Sequence, residues 1–562
     1  MQPDFWSGKR PDGVPDNIDL QGYTSLVDVI THSFKQFGER PAFSNMGRTL
    51  TYSDLDRLSA AFAAYLQQKT SLKPGDRIAI QLPNLLQYPV AVFGALRAGL
   101  VVVNTNPLYT AREMRHQFQD SGTKALIYLN LFGARVEEVL PDTPIKYLIE
   151  CRMGDLQPLG KGWLMNAVVK HGKKLVPAYH LPQAVLFKMA LAQGNRQTLR
   201  RHDTVLDDIA VLQYTGGTTG VAKGAMLSHR NLIANMLQLD ACLKQRDASG
   251  EPVLRKGEEV VISPLPLYHI YAFTVTCMCM LFNGSHSVLI TNPRDIAGLI
   301  KEMSRWRFTA FLGLNTLFVA LMEHPTFRAL DFSHLRFTNS GGTALVRATA
   351  EQWTRTTGCL IMEGYGLTEA SPIAALNPHG NLARLGTVGL PVPGTHFKII
   401  GESGEDLSIG ERGELCIRGP QVMKGYWGHP DATDEVLDAQ GWYRTGDIAI
   451  IDAEGYTHIV DRKKDLIIVS GFNVYPNEVE EVVMAHPNVA NCAAIGVPDE
   501  KSGEAVKLFV VPREMGLTVD ELKTYCRVNL TGYKVPKHIV VRESLPMTPV
   551  GKVLRRELRD LA

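Results

Sequence analysis

Along the first 150 positions, apolar residues switch repeatedly between a helical period and short β-like runs. Leu55, Leu58, Phe62 and Leu66 recur at helical spacing from Ser53-x-x-Asp56, which reads as a capping box. The turn Pro74-Gly75 then leads into a strand over Arg77–Leu82. A helix over Tyr88–Ala98, a strand over Leu100–Val103, a helix over Thr110–Asp120 and a strand over Lys124–Tyr128 follow. Strands alternating with helices predict βαβ units, a largely parallel sheet and an α/β class.

Near residue 461 the texture changes. Asp461-Arg-Lys-Lys-Asp465 is short and highly charged and reads as a linker. Beyond it the pattern predicts a helix opened by Pro476, strands near Val489–Val497 and Ala505–Val511, a helix near Val519–Leu530 and a strand at His538–Arg542. This is a small α+β unit, long enough to be a second domain.

Composition narrows the class. The formal net charge is +2 over 562 residues, which argues against a general electrostatic nucleic-acid binder. Eight cysteines are scattered without metal-ligand or disulfide spacing, which fits a reducing, cytoplasmic setting. The longest apolar stretch, Ile270–Phe282, falls well short of the roughly 20 residues a spanning helix needs. A soluble chain is expected, at most peripheral on the inner face of the cell membrane. Residues 151–202 stand apart, with nine lysines and arginines against a single acid, Asp155, around the amphipathic stretch Trp163–Val176. They read either as a solvated insertion or as a basic face that docks on an anionic membrane surface.

The densest chemical signal is Tyr214-Thr-Gly-Gly-Thr-Thr-Gly-Val-Ala-Lys-Gly224, between a strand-like run (Ala210–Tyr214) and a helical one (Asn231–Leu239). Gly216, Gly217 and Gly220 allow backbone N–H groups close to an anion, Thr215, Thr218 and Thr219 add hydroxyl donors, and Lys223 adds positive charge. It is not a Walker loop, because no Gly-Lys-[Ser/Thr] follows four residues after a glycine.

This segment resembles the phosphate loop of the acyl-adenylate-forming superfamily. Gly364-Tyr-Gly-Leu-Thr-Glu369, Tyr443-Arg-Thr-Gly-Asp447, Asp461-Arg-Lys-Lys-Asp465 and Pro549-Val-Gly-Lys552 resemble further motifs of that superfamily, in the same order. Gly441–Asp465, Asn84–Pro89, Asn104–Tyr109 and Val469–Glu478 are similar to the bacterial long-chain fatty acyl-CoA ligases. The resemblance implies ATP, Mg²⁺ and coenzyme A as reactants or cofactors, and a fatty acid as substrate. It implies a large multi-sheet domain over 1–461, a hinge over 462–465 and a small mobile domain over 466–562. A homodimer is compatible with it but follows from no residue pattern.

By the same resemblance, Thr368 and Glu369 flank the α-phosphate, with Glu369 a Mg²⁺ ligand. Asp447 and Arg462 hold the ribose; Gly341, Gly342, Gly364, Tyr365 and Gly366 line the adenine pocket. Lys552 bridges the substrate carboxylate and the α-phosphate. Lys464 is the pivot about which the small domain turns to bring the loop at Ser470 and Gly471 to the site for coenzyme A. His269 lies near the carboxylate, and Phe273 and Gly313 line an acyl tunnel. Taken alone, Glu369 and Lys552 would read as surface charges and Phe273 as core.

Three rivals remain at this stage: the same chemistry on medium-chain or other acids, transfer to a carrier-protein thiol, and a fatty-acid uptake or binding protein. A kinase or P-loop ATPase would release ADP and lacks its loop here.

Overall fold

A computed structural model describes residues 5–20, 22–215, 222–247, 250–470, 472–499, 501–514, 516–548 and 551–561. Among these, four sheets carry the fold. A seven-stranded sheet runs in the order Val185–Leu186, Tyr147–Cys151, Ala125–Leu129, Arg77–Gln81, Val101–Asn104, Ile209–Tyr214 and Gly224–Ser228. All its pairings are parallel except the last. Its strands are buried on both faces: Ile78 and Ile80 face the main core while Ala79 faces another, as the two-residue period of a covered sheet requires.

The nine-stranded sheet has parallel Val260–Ser263, Ala310–Gly313, Phe337–Gly341 and Ile361–Gly366 at its centre. The main core unites this sheet with the first, through the helices Leu26–Phe37, Tyr52–Lys69, Gln87–Arg97 and His229–Leu243. Polar side chains stitch the two sheets where their strands end. Tyr88 donates to Asn104 at 2.6 Å and to the Leu267 carbonyl at 2.8 Å, and Gln213 donates to the Tyr268 carbonyl at 3.1 Å. The loop Pro266–His269 is thereby held at the carboxyl ends of both sheets, the usual place for a ligand in such folds.

The antiparallel sheet His396–Ile400, Gly413–Arg418, Tyr443–Ile451, Thr457–Arg462 follows, and was not legible in the apolar pattern. A smaller C-terminal domain is then built on Ile467–Val469, Phe472–Val474, Val489–Asp499, Gly503–Pro512 and His538–Val541, with the helices Pro476–Met484 and Val519–Asn529 packed on it.

The second helix begins earlier than the apolar pattern predicts. The box that caps the second helix is formed by Thr51 and Asp54, two residues earlier than Ser53 and Asp56. The strand Arg48–Thr51 ends at Thr51, so the chain leaves extended geometry there and Thr51 is the residue positioned to cap. Among the described residues no helix is long and apolar enough to cross a membrane.

Candidate active site

Asp447 and Arg462 face each other in register across Tyr443–Ile451 and Thr457–Arg462. The Arg462 Nε lies 2.6 Å from Asp447 Oδ1, and the Tyr365 hydroxyl donates to Oδ2. Burial pushes the Tyr365 phenol well above its ordinary pKa, and the Asp447 charge adds to this. Burial works against the Arg462 cation, but Asp447, Tyr365 and Glu369 outweigh it and raise its pKa. The result is a fixed carboxylate whose two neighbours, Arg462 and Tyr365, come from different strands.

Tyr365 stands beside the glycine-lined strand ends. Gly341 pairs with Gly364 in register. Gly342 has φ +85°, a conformation that side chains disfavour. At Gly366 a Cβ would fall 2.4 Å from the Pro372 carbonyl oxygen, so backbone closes directly on backbone there.

The phosphate-loop residues Gly216, Gly217, Thr218, Thr219 and Gly220 lie outside the described residues, but the base of the loop is visible. Thr215 N–H donates to the Lys223 carbonyl at 3.0 Å. Tyr214 donates to Asp120 at 2.5 Å, and Asp120 is also 3.0 Å from His429 Nε2. Beyond the loop, Gly224–Ser228 is gripped by a second segment: Trp427 N–H donates to Gly224 and Met226 N–H to Gly425.

That second segment carries a residue the motifs do not announce. Tyr426 donates its hydroxyl to Glu369 Oε1 at 2.8 Å, while the Lys223 ammonium sits 5.3 Å from its ring centre. One tyrosine thus spaces the candidate metal carboxylate from the candidate phosphate lysine. Thr368 and Glu369 open the short turn Thr368–Ala370, and the Glu369 carbonyl accepts from Met423 N–H at 2.7 Å. Among the described residues Tyr426 is the only hydrogen-bond donor to the Glu369 side chain, which leaves Oε2 for another ligand. A single carboxylate with a free oxygen fits Mg²⁺, which takes one or two protein oxygens and fills its octahedron with phosphate and water.

Lys552 arrives from the small domain. Its N–H donates to the Thr548 hydroxyl at 2.9 Å. Gly551, at φ +73°, rests on the large domain: a Cβ there would be 2.9 Å from Thr316 Oγ1 and 3.4 Å from Leu314. The lysine keeps contact with solvent, yet crowding by the cleft walls lowers its pKa, Arg462 lowers it further, and Asp447 and Glu369 oppose this. Burial, with Lys552 nearby, lowers His269 to about 4. Lys552, His269, Glu369, Asp447 and Arg462 therefore share one cleft.

Other predicted residues lie apart. Phe273 is fully buried in the main core, at the start of the wide-turned helical stretch Phe273–Met280. Gly313 aims the opposite way: a Cβ there would meet the Phe318 ring at 2.7 Å and Phe311 at 2.9 Å, in the second core. Ser470 has φ +51° and donates its N–H to Ser502 at 2.7 Å; it shares no hydrogen bond with the cleft among the described residues, and Gly471 lies outside them. Lys464 sits in the turn Lys463–Asp465, its amine lowered to about 8 by partial burial and by Arg462.

Comparison with known proteins is consistent with this geometry. The model described as AMP-binding enzyme matches residues 30–427, and that described as AMP-binding enzyme C-terminal domain matches residues 478–552. The chain is 52% identical to a long-chain-fatty-acid–CoA ligase of Escherichia coli O157:H7, over 99% of this chain and 98% of that protein. It is 35% identical to a protein of the same name from Bacillus subtilis (strain 168), over 99% and 97%. Among solved structures, ATP-bound MatB from Rhodopseudomonas palustris aligns with a TM-score of 0.77 at 28% identity, over 95% of this chain and 98% of that one.

Proposed function

The chain belongs to the AMP-binding enzyme family, and we propose that it joins a long-chain fatty acid to coenzyme A through an acyl-adenylate, with ATP as second substrate. The observation that supports this most is the meeting of Lys552, Glu369, Asp447 and Arg462, drawn from two domains, in one cleft.

A fatty-acid carboxylate is a weak electrophile, so its oxygen first attacks the α-phosphorus of ATP and expels pyrophosphate. Two anions must approach, and the protein's part is charge neutralisation and alignment. Lys552 meets the incoming carboxylate and the α-phosphate. Lys223 and the Gly/Thr loop take the leaving pyrophosphate. Asp447 and Arg462 hold the ribose, the glycine-lined strand ends and Tyr365 take the adenine, and neutral His269 sits beside the carboxylate without adding charge. Mg²⁺, held by Glu369, would supply further positive charge to the phosphates.

The coenzyme A thiol then attacks the acyl carbonyl, forming the C–S bond and releasing AMP. With Lys552 over the cleft and Ser470 away from it, the arrangement suits the first of these steps. We assign residues 1–461 to the large domain, 462–465 to a hinge pivoting at Lys464, and 466–562 to the small domain, whose rotation would exchange Lys552 for the Ser470–Gly471 loop. The acyl chain is assigned to the buried region around Phe273. The basic stretch 151–202 is the surface offered to an anionic membrane, which would hold the enzyme peripherally on its inner face.

The test is relative kcat/KM over saturated acids from C6 to C18, with benzoate included. A maximum within C12–C18 is expected. A maximum at C6–C8, or on benzoate, would replace the substrate class.

A further inference from the structure

The helix Leu159–Ala167 turns its apolar side chains the wrong way for a soluble protein. Leu159 is 95% exposed, Trp163 73%, Leu164 57% and Val168, just beyond its end, 43%. The cause lies on the opposite face. Gly162 is buried against Gly154 so closely that a Cβ on either would come within 2.4 Å of the other's carbonyl oxygen. Gly154 N–H also donates to Asn166 Oδ1 at 2.8 Å. This backbone-to-backbone seat fixes the helix rotation. At 100° per residue, Trp163 and Leu164 lie about 100° and 200° round from Gly162 and are directed away from the seat, while Leu159 is exposed as the first residue of the helix.

The flanks are basic. After the helix, the wide turn Val168–Gly172 and the residues behind it leave Lys170, His171, Lys173 and Lys174 exposed, beside Leu175 at 52%. The single acid of residues 151–202, Asp155, is turned inward and accepts from Arg152 N–H at 2.8 Å. An exposed aromatic and aliphatic face followed by exposed lysines, with the stretch's single acid turned inward, matches the boundary of an anionic bilayer.

We propose that Leu159–Ala167 is an interfacial anchor that inserts Leu159, Trp163 and Leu164 at the headgroup–acyl boundary, with Lys170, Lys173 and Lys174 against anionic headgroups. This deepens the membrane-surface reading above and rests on the proposed use of a fatty acid. It differs in its driving force: insertion of apolar side chains, which the lysines assist. The anchor also has a path to the site. Gln157 donates to the Asn45 carbonyl at 3.2 Å, Asn45 to Thr291 at 3.0 Å, and Thr291 to the Asn84 carbonyl at 2.8 Å. Asn84 accepts from Leu267 N–H at 2.9 Å, two residues before His269. Seating the anchor would place this loop near the surface from which a fatty acid leaves a bilayer.

The experiment is co-sedimentation of the full chain with phosphatidylcholine vesicles, with and without phosphatidylglycerol. Wild type is compared with the triple variant Leu159→Ser, Trp163→Ser, Leu164→Ser, and with a charge reversal of Lys170, Lys173 and Lys174. The expected result is binding to the anionic vesicles that the serine variant weakens at least tenfold. Its kcat/KM on monomeric decanoate without vesicles should stay unchanged, which shows the variant folded. Equal sedimentation of wild type and serine variant would overturn insertion, whether or not charge reversal abolishes binding; so would absence of wild-type binding. If wild type binds as expected but forms no acyl-CoA in solution, the anchor stands and the ligase reading fails.

Discussion

Tyr426 hydrogen-bonds Glu369 at 2.8 Å while its ring carries the Lys223 ammonium 5.3 Å above its centre. The tyrosine therefore orients the carboxylate assigned to Mg²⁺ and spaces it from the lysine assigned to pyrophosphate. Tyr426→Phe keeps the ring and removes only the hydroxyl. A hydrogen bond to a charged group contributes about 1.5–3 kcal/mol, so fatty-acid-dependent pyrophosphate exchange is expected to fall about tenfold or more. The Mg²⁺ concentration for half-maximal exchange should rise, and thioester formation from supplied acyl-adenylate should stay unchanged. An unaltered Mg²⁺ titration would remove Tyr426 from the site.

Lys552→Ala separates the two steps. This lysine of the small domain lies within electrostatic reach of Asp447 and Glu369, and its charge acts on His269. Adenylation is expected to fall by about 10²–10³-fold, the cost of deleting a charge aimed at a transition-state oxygen. Conversion of supplied acyl-adenylate to the thioester should survive. Equal loss of both would contradict its assignment.

Arg555 ties that lysine's segment to the turn Lys463–Asp465. Its Nη2 lies 2.8 Å from both Glu480 oxygens and 3.0 Å from Asn477 Oδ1, while its Nη1 lies 3.6 Å from Asp465, which also accepts from Arg559 at 2.7 Å. Lysine carries a single nitrogen and cannot serve Glu480 and Asp465 from two nitrogens at once. Arg555→Lys is expected to lower adenylation about tenfold and to speed limited proteolysis between residues 462 and 562. Unchanged proteolysis would show the cluster is dispensable for seating the small domain.

Glu363 supplies a pH test of the fold. Burial raises its carboxyl to about 7, with the Leu345 N–H at 3.0 Å pulling it back. A raised folded pKa means the native state binds the proton more tightly than the unfolded chain. Its stabilising contribution is fully present below the ordinary value of 4.5 and is lost as pH rises through about 7. Glu363→Gln can still accept the Leu345 hydrogen bond and never ionises. Its Tm should exceed that of wild type by about 1–3 °C at pH 8 and show no gain at pH 4.5. A constant difference across that range would contradict the burial argument.

Local pattern revealed what local forces build. Predicted helices over Thr110–Asp120 and Val519–Leu530 correspond to Ala111–Asp120 and Val519–Asn529, and the strand pair Val489–Val497 and Ala505–Val511 corresponds to Val489–Asp499 and Gly503–Pro512. Long-range geometry was less accessible. A lone tyrosine in Lys424-Gly-Tyr-Trp-Gly428 has no periodicity to show that it reaches Glu369 from 57 residues away. Gly313 has no side chain, so only the sheet's pleat shows that it aims at Phe318. Asp447 and Arg462 stood out through their motifs, but their ion pair depends on the register of two antiparallel strands. The outward face of Leu159–Ala167 was hidden because an apolar period reads the same whether it points in or out; the Gly154–Gly162 contact decides the direction.

The central chemical claim is that a carboxylate oxygen of the fatty acid bonds to the α-phosphorus of ATP before the thiol attacks. Palmitate labelled with ¹⁸O in both carboxylate positions, incubated with ATP, Mg²⁺ and coenzyme A, follows that oxygen directly. When the C–O bond breaks in the second step, the label stays on phosphorus. Mass spectrometry should therefore find one ¹⁸O in each AMP released and none in pyrophosphate. Unlabelled AMP, or ¹⁸O-phosphate accompanied by ADP, would contradict the acyl-adenylate route.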